Sequence, residues 1–148
     1  NRLYGEVFPE PDVLIGEVPT LIGTDGQAKM SKSLNNHIEL AATPEETEKR
    51  VLTMVTDPAR IRRNDPGHPE ICNVFALHKF FSPEQVAQIE VDCRSAAIGC
   101  VDCKKWLIDR ILNTLKPIRD KRDYLTQNLQ EVRSILEAGN ERAWKFKT

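Results

Sequence analysis

Beyond about residue 43, apolar positions recur at helical spacing; before it they come in short runs broken by proline and glycine. Thr43-Pro44-Glu45-Glu46 has the form of a capping box with proline at the first helical position, and Val51, Leu52 and Val55 supply an apolar face. Together they predict a helix over about 44–55. Three prolines and three arginines between Thr56 and Pro69 predict a constrained, exposed loop. Ile71, Val74, Phe75 and His78 then return to helical spacing, and Ser82-Pro83-Glu84-Gln85 predicts a second capping box. Past Gly99, Ile108, Ile111, Leu112 and Leu115 fall at i, i+3, i+4 and i+7. Leu125, Leu129, Val132 and Leu136 continue that stripe after an expected break or kink at Pro117, and Gly139-Asn140 is expected to close the last helix. In the first 22 residues, Val13-Leu14-Ile15 and Thr20-Leu21-Ile22 fit the last strand of a sheet that is otherwise absent from the chain.

The expected fold class is therefore mainly α, preceded by the end of some other domain. A composition of 40% hydrophobic, 29% charged and 6% aromatic residues excludes fibrous and disordered classes and makes the core aliphatic. Neither a run of roughly 20 apolar residues nor a signal-peptide pattern occurs, which predicts a cytoplasmic protein with no membrane partner. The first residue is Asn1 rather than Met, so the chain reads as a piece of something longer. A net charge of −1 says nothing about nucleic acid, but its distribution does. Between Lys104 and Arg122 stand seven basic residues against two acidic ones, either an anion-binding face or a solvated helix surface.

Gly23-Thr24-Asp25-Gly26-Gln27 is a turn-forming stretch that leads into Lys29-Met30-Ser31-Lys32-Ser33. Two lysines three residues apart, with two hydroxyls beside them, suit a triphosphate. The ammonium groups can neutralise charge moving onto a leaving pyrophosphate, while hydroxyls and loop amides donate hydrogen bonds. Any such lysine pair could also be merely solvated. The five residues, however, are identical to the KMSKS motif of class I aminoacyl-tRNA synthetases, and Leu34, Asn36 and Ile38 extend the likeness. Asn35 departs from it, standing where that family commonly has glycine, but Asn tolerates the left-handed conformation.

The Gly23–Gln27 preamble, Thr56-Asp57-Pro58, Arg63 with Asp65-Pro66-Gly67, and Pro69 to Phe75 with His78 make the whole chain resemble bacterial tryptophanyl-tRNA synthetases. Tyrosyl-tRNA synthetases are the nearest rival. The resemblance implies a Rossmann-like catalytic domain ending within residues 1–43 and a helical anticodon-recognition domain over 44–148. It further implies ATP contacts from Lys29, Met30, Ser31, Lys32 and Ser33, with Lys29 and Lys32 catalytic and Mg as counter-ion. Tryptophan and tRNA(Trp) are the implied partners of a homodimeric enzyme whose HIGH motif precedes Asn1, so that this piece alone should be inactive.

Cys72, Cys93, Cys100 and Cys103 form C-x(20)-C-x(6)-C-x(2)-C. In a cytosolic chain this reads as a soft-metal site, zinc or iron-sulfur, with four buried small hydrophobes as the alternative. Some members of the resembled family carry a [4Fe-4S] cluster on cysteines of similar spacing, which favours that cofactor over zinc. Likewise, the family's helical domain reads tRNA, making Lys104, Lys105, Arg110, Arg119 and Arg122 candidate contacts. Arg60, Arg62 and Arg63 could be salt-bridged within their loop. His78 is expected in the core, and Trp106 and Trp144 as packing residues. Competing readings are a free-standing helical tRNA-binding module and a zinc-binding structural domain.

Overall fold

A computed structural model describes residues 2–15 and 20–146. Among these residues are five α-helices: α1 (Pro44–Leu52), α2 (Asn73–Phe81), α3 (Val86–Arg94), α4 (Cys100–Gln127) and α5 (Leu129–Trp144), with single 3-10 turns at Pro69–Ile71 and Pro83–Gln85. The mainly helical expectation holds. Its strand does not: among the described residues pairing is limited to one isolated antiparallel bridge, Ile22 with Lys29. Val13, Leu14 and Ile15 are 73%, 99% and 86% exposed. A strand forms only against a neighbouring edge that takes up its backbone groups, and nothing described here offers one.

The start of α1 forms as its sequence dictates. Thr43 Oγ1 accepts from the Glu46 N–H (3.2 Å) and the Glu46 carboxylate accepts from the Thr43 N–H (2.8 Å). The helix ends at Leu52, three residues early, because the Val55 N–H is taken by the Thr24 carbonyl (3.1 Å) in the glycine-rich turn. The core lies where α1 and α2 meet α4. Val51, Met54, Val74, Leu77, Leu107, Ile108, Ile111 and Leu115 are all buried there, with Leu112 partly so. The stripe at 108, 111, 112 and 115 is thus the core face of α4. Leu21 and Ile38 pack against the same cluster, which seats the first segment on the helices.

The second capping box does not form. Ser82 is fully buried and its hydroxyl bonds His78 Nδ1 (3.1 Å), so it is not available to cap, and α3 begins only at Val86. His78 is the satisfied core histidine expected: it is fully buried, and Nε2 bonds the Cys103 carbonyl (3.1 Å). Burial pushes its pKa down.

Pro117 does not break α4, which is continuous from Cys100 to Gln127. The carbonyl that loses its partner belongs to exposed Asn113, where water can substitute, and the Lys116–Asp120 ion pair (2.6 Å) spans the proline. The chain breaks instead at Asn128, whose amide donates to the Tyr124 carbonyl (2.7 Å). Nor does Gly139-Asn140 end α5, which runs on to Trp144. Leu129 and Leu136 are 60% and 62% exposed, so the predicted stripe continues in sequence but not in burial. Trp106 and Trp144, at 46% and 65%, are not core residues either.

The loop from Thr56 to His68 is organised by Asp57, a buried carboxylate that accepts from the Ala59 N–H (2.8 Å), the His68 N–H (2.8 Å) and His68 Nδ1 (2.9 Å). Among the described residues Arg60 has no salt-bridge partner. Its guanidinium donates to the Arg63 (2.6 Å) and Ile98 (2.8 Å) carbonyls, clamping the loop to the approach of α4. Burial raises the Asp57 pKa, but the bonds from His68 and Ala59 outweigh it and leave the group below an ordinary carboxylate. Its contribution to folding is therefore complete above the unfolded value near 3.9 and is lost as pH falls through the lower folded one. Urea unfolding should find Asp57→Asn less stable by about 1–3 kcal/mol at pH 7, with the gap from the parent closing toward about pH 2. A gap unchanged with pH would contradict this account.

Candidate functional site: a lysine loop and a four-cysteine pocket

The lysine loop is built on a tight reversal. Gly23 N–H donates to the Ala28 carbonyl (2.8 Å), Gly26 N–H to the Gly23 carbonyl (2.9 Å), and Met30 N–H to the Leu21 carbonyl (2.8 Å). Gly26 sits at φ +73°, and a Cβ at Gly23 would collide with the Asn36 side chain, so both glycines are required by shape. Asn36 is 2% exposed. Its Oδ1 accepts from the Ser31 N–H (2.7 Å), and its Nδ2 donates to Asp25 Oδ2 (3.0 Å) and to the Lys29 carbonyl (3.3 Å). Asp25 also accepts from the Gln27 N–H (3.1 Å), and these bonds, Gln27 first and Asn36 next, hold its pKa below the usual value. The Ser31 and Ser33 hydroxyls pair at 2.8 Å.

Lys29 and Lys32 are exposed, whereas Met30 and Ser31 are half-buried. The loop thus offers two cations to solvent on a backbone fixed from beneath, an arrangement able to neutralise a polyphosphate. Asn35 closes it in the left-handed region, φ 49°, as its chemistry permits. Arg50 of α1 then grips that residue twice, on its carbonyl (2.9 Å) and its Oδ1 (2.9 Å). Neither Arg50 nor Asp25 was legible as a loop partner from sequence; Asn36 was visible only as part of the extended motif.

The four cysteines come from three places: the cap of α2 (Cys72), the last turn of α3 (Cys93) and the first turn of α4 (Cys100, Cys103). All are free thiols, and all line one cavity together with Thr56, Arg60, Val74, Phe75, Ile89 and Ile98. Gly67 makes part of that room, since a Cβ there would strike Cys93 Sγ. Burial raises the Cys72 and Cys93 thiols and pushes Cys103 up to about 12. Arg60 lies 3.8 Å from Cys100 Sγ, and His78 Nε2 lies 3.4 Å from Cys103 Sγ. The free space is only about 20 Å³, and among the described residues no three or more His, Cys, Asp or Glu side chains stand as a ready metal cage. The donor set converges, but the thiols must turn to admit anything larger than a water molecule.

The basic residues divide by partner. Lys104 Nζ donates to the Leu52 carbonyl at the end of α1 (2.8 Å). Arg119 bonds the Leu40 carbonyl (3.1 Å) and Thr47 Oγ1 (2.8 Å). Arg110 pairs with Glu84 (3.1 Å), while Lys105 is exposed and Arg122 lies 3.9 Å from Asp123. His37 pairs with Glu39 at 3.3 Å.

Residues 1–116 match the family of class I tRNA synthetases (W and Y). The chain belongs to that family. Among these synthetases it is 46% identical over 145 residues to the tryptophan–tRNA ligase of Aquifex aeolicus, covering 97% of the chain and 36% of the relative. It is 43% identical to that of Thermotoga maritima, covering 97% and 44%. The chain therefore spans less than half the length of these synthetases. A tryptophanyl-tRNA synthetase from Campylobacter jejuni, solved with ADP and tryptophan, superposes with a TM-score of 0.82 at 29% identity, covering 97% of this chain and 44% of that one. No helix among the described residues is long and apolar enough to cross a membrane.

Proposed function

We propose that this chain is the ATP-loop and helical portion of a bacterial tryptophan–tRNA ligase. The intact enzyme joins tryptophan to ATP as tryptophanyl-adenylate, releasing pyrophosphate, and passes the tryptophan to tRNA(Trp). The observation that carries the reading is the pair of exposed lysines, Lys29 and Lys32, on a loop whose intervening backbone is hydrogen-bonded on both sides. As the carboxylate of tryptophan attacks the α-phosphorus of ATP, negative charge builds on the departing pyrophosphate, and the two ammonium groups stabilise it there. Met30 packs toward the adenine and Ser31 and Ser33 shape the loop; Mg, when bound with ATP, would supply further positive charge to the phosphates.

In this reading residues 1–43 end the nucleotide-binding domain and 44–148 form the anticodon-recognition domain of a cytoplasmic homodimer. Lys105 and Arg122 are the candidate tRNA contacts left exposed; Lys104 and Arg119 tie α4 to α1, and Arg110 ties it to the turn at Pro83–Gln85. Cys72, Cys93, Cys100 and Cys103 would hold a [4Fe-4S] cluster. Four soft donors lining one apolar cavity suit it, and when bound it would supply a structural cross-link among the segments that carry them.

The test is amino-acid-dependent exchange of labelled pyrophosphate into ATP by the full-length ligase carrying this segment. Tryptophan should support exchange and tyrosine should fall at least about 100-fold short in kcat/KM. Exchange with neither amino acid overturns the ligase reading, and tyrosine as the better substrate overturns its tryptophan assignment.

A further inference from the structure

Asn36 does more than end the motif. The bridge between Ile22 and Lys29 uses the Ala28 carbonyl and the Met30 N–H on one edge of the loop. By the alternation of an extended chain, the Lys29 carbonyl and the Ser31 N–H point to the opposite edge. A parallel third strand would meet them with one residue, its carbonyl accepting from the Ser31 N–H and its own N–H donating to the Lys29 carbonyl. The Asn36 carboxamide does both, with Oδ1 on the Ser31 N–H and Nδ2 on the Lys29 carbonyl. Its remaining N–H is spent on Asp25, which orients the amide, and its own carbonyl accepts from the Thr24 N–H (2.8 Å). Gly23 leaves the space in which the side chain lies.

We infer that Asn36, oriented by Asp25, is a positioning residue that stands in for a neighbouring strand and presets the backbone from which Lys29 and Lys32 reach the ATP phosphates. The inference rests on the ATP reading of the loop. Only Asn at position 36 satisfies both edges: Asp keeps the acceptor but loses the donor and sets two carboxylates against each other, while Ala leaves the Ser31 N–H and the Lys29 carbonyl unpaired.

In the full-length ligase, Asn36→Ala should slow tryptophan-dependent pyrophosphate exchange about 100-fold, the loss that a displacement near 1 Å produces. The KM for tryptophan should stay within about twofold, because the lysines act on the transition state. In a Lys29→Ala/Lys32→Ala background the same change should cost no more than about twofold, since there is nothing left for Asn36 to place. Should Asn36→Ala fail to fold, Asn36→Asp serves in its stead. It should be equally slow, and adding Asp25→Asn should recover about tenfold by restoring an amide–carboxylate pair. A 100-fold loss that persists in the double-lysine background overturns the positioning role, as does no recovery in the exchanged pair or an Asn36→Ala enzyme of parental rate. If the lysine pair itself proves dispensable, the ATP reading fails first and the inference falls with it.

Discussion

Replacing Lys29 and Lys32 together by alanine in the full-length ligase should lower the rate of adenylate formation by roughly 10³- to 10⁴-fold while leaving tryptophan affinity within about twofold. The magnitude follows from Coulomb's law. A cation about 4 Å from a phosphate oxygen is worth roughly 1 kcal/mol in water and 4 kcal/mol at an effective dielectric constant near 20. The larger value applies once ATP and the loop together exclude solvent, so each ammonium can supply one to three powers of ten in rate. Because both side chains are exposed here and pack against no core residue, the loss should be kinetic rather than a failure to fold. Stopped-flow adenylation against tryptophan titration separates the two. Equal losses in rate and in tryptophan binding would place the lysines in ground-state binding and remove their transition-state role.

Anaerobic preparation should yield about four iron and four acid-labile sulfide per chain, and Cys103→Ser should abolish both. Cys103 is the discriminating position because it is half-buried, lines the cavity with the other three cysteines and sits one helical turn from Cys100. Loading should raise the melting temperature, as any group held only by the native state does. Stoichiometric zinc without sulfide would replace the cluster with a zinc site. A protein free of metal, with Cys103→Ser costing no more than a small buried-residue substitution, would leave four packed thiols and no cofactor.

The basic stripe on α4 illustrates how charge counted along a chain can mislead. Of the five residues singled out there, Lys104 donates to the Leu52 carbonyl and Arg119 to Thr47 Oγ1 of α1 and to the Leu40 carbonyl ahead of it, and Arg110 answers Glu84. Their positive charge is the same in sequence as that of Lys105 and Arg122, but it is committed to holding helices together. Arg50 is the converse case, an unremarked helix residue that fastens the end of the lysine loop. The loop's composition was legible because five consecutive residues carry it; the residues that hold its shape were not, being chosen by proximity in space.

What the amino-acid sequence determined by itself is what depends on neighbours within about one helical turn. The Thr43/Glu46 capping box, the apolar stripe of Ile108, Ile111 and Leu115, the left-handed Asn35 and the place of His78 on the apolar face of its helix all belong there, because a periodic face, a cap or a permitted φ is a local property. Tertiary structure alone decided whether an apolar face is covered: α4 at Ile111 is, and α5 at Leu136, with the same periodicity, is not. It also decided which polar group meets which, drawing the Ser82 hydroxyl to His78 instead of to a helix end, Asn73 to the Gly23 carbonyl 50 residues away, and four cysteines from three helices into one cavity. A sequence specifies how many hydrogen bonds and how much apolar surface a segment must satisfy; only the packed chain specifies with what.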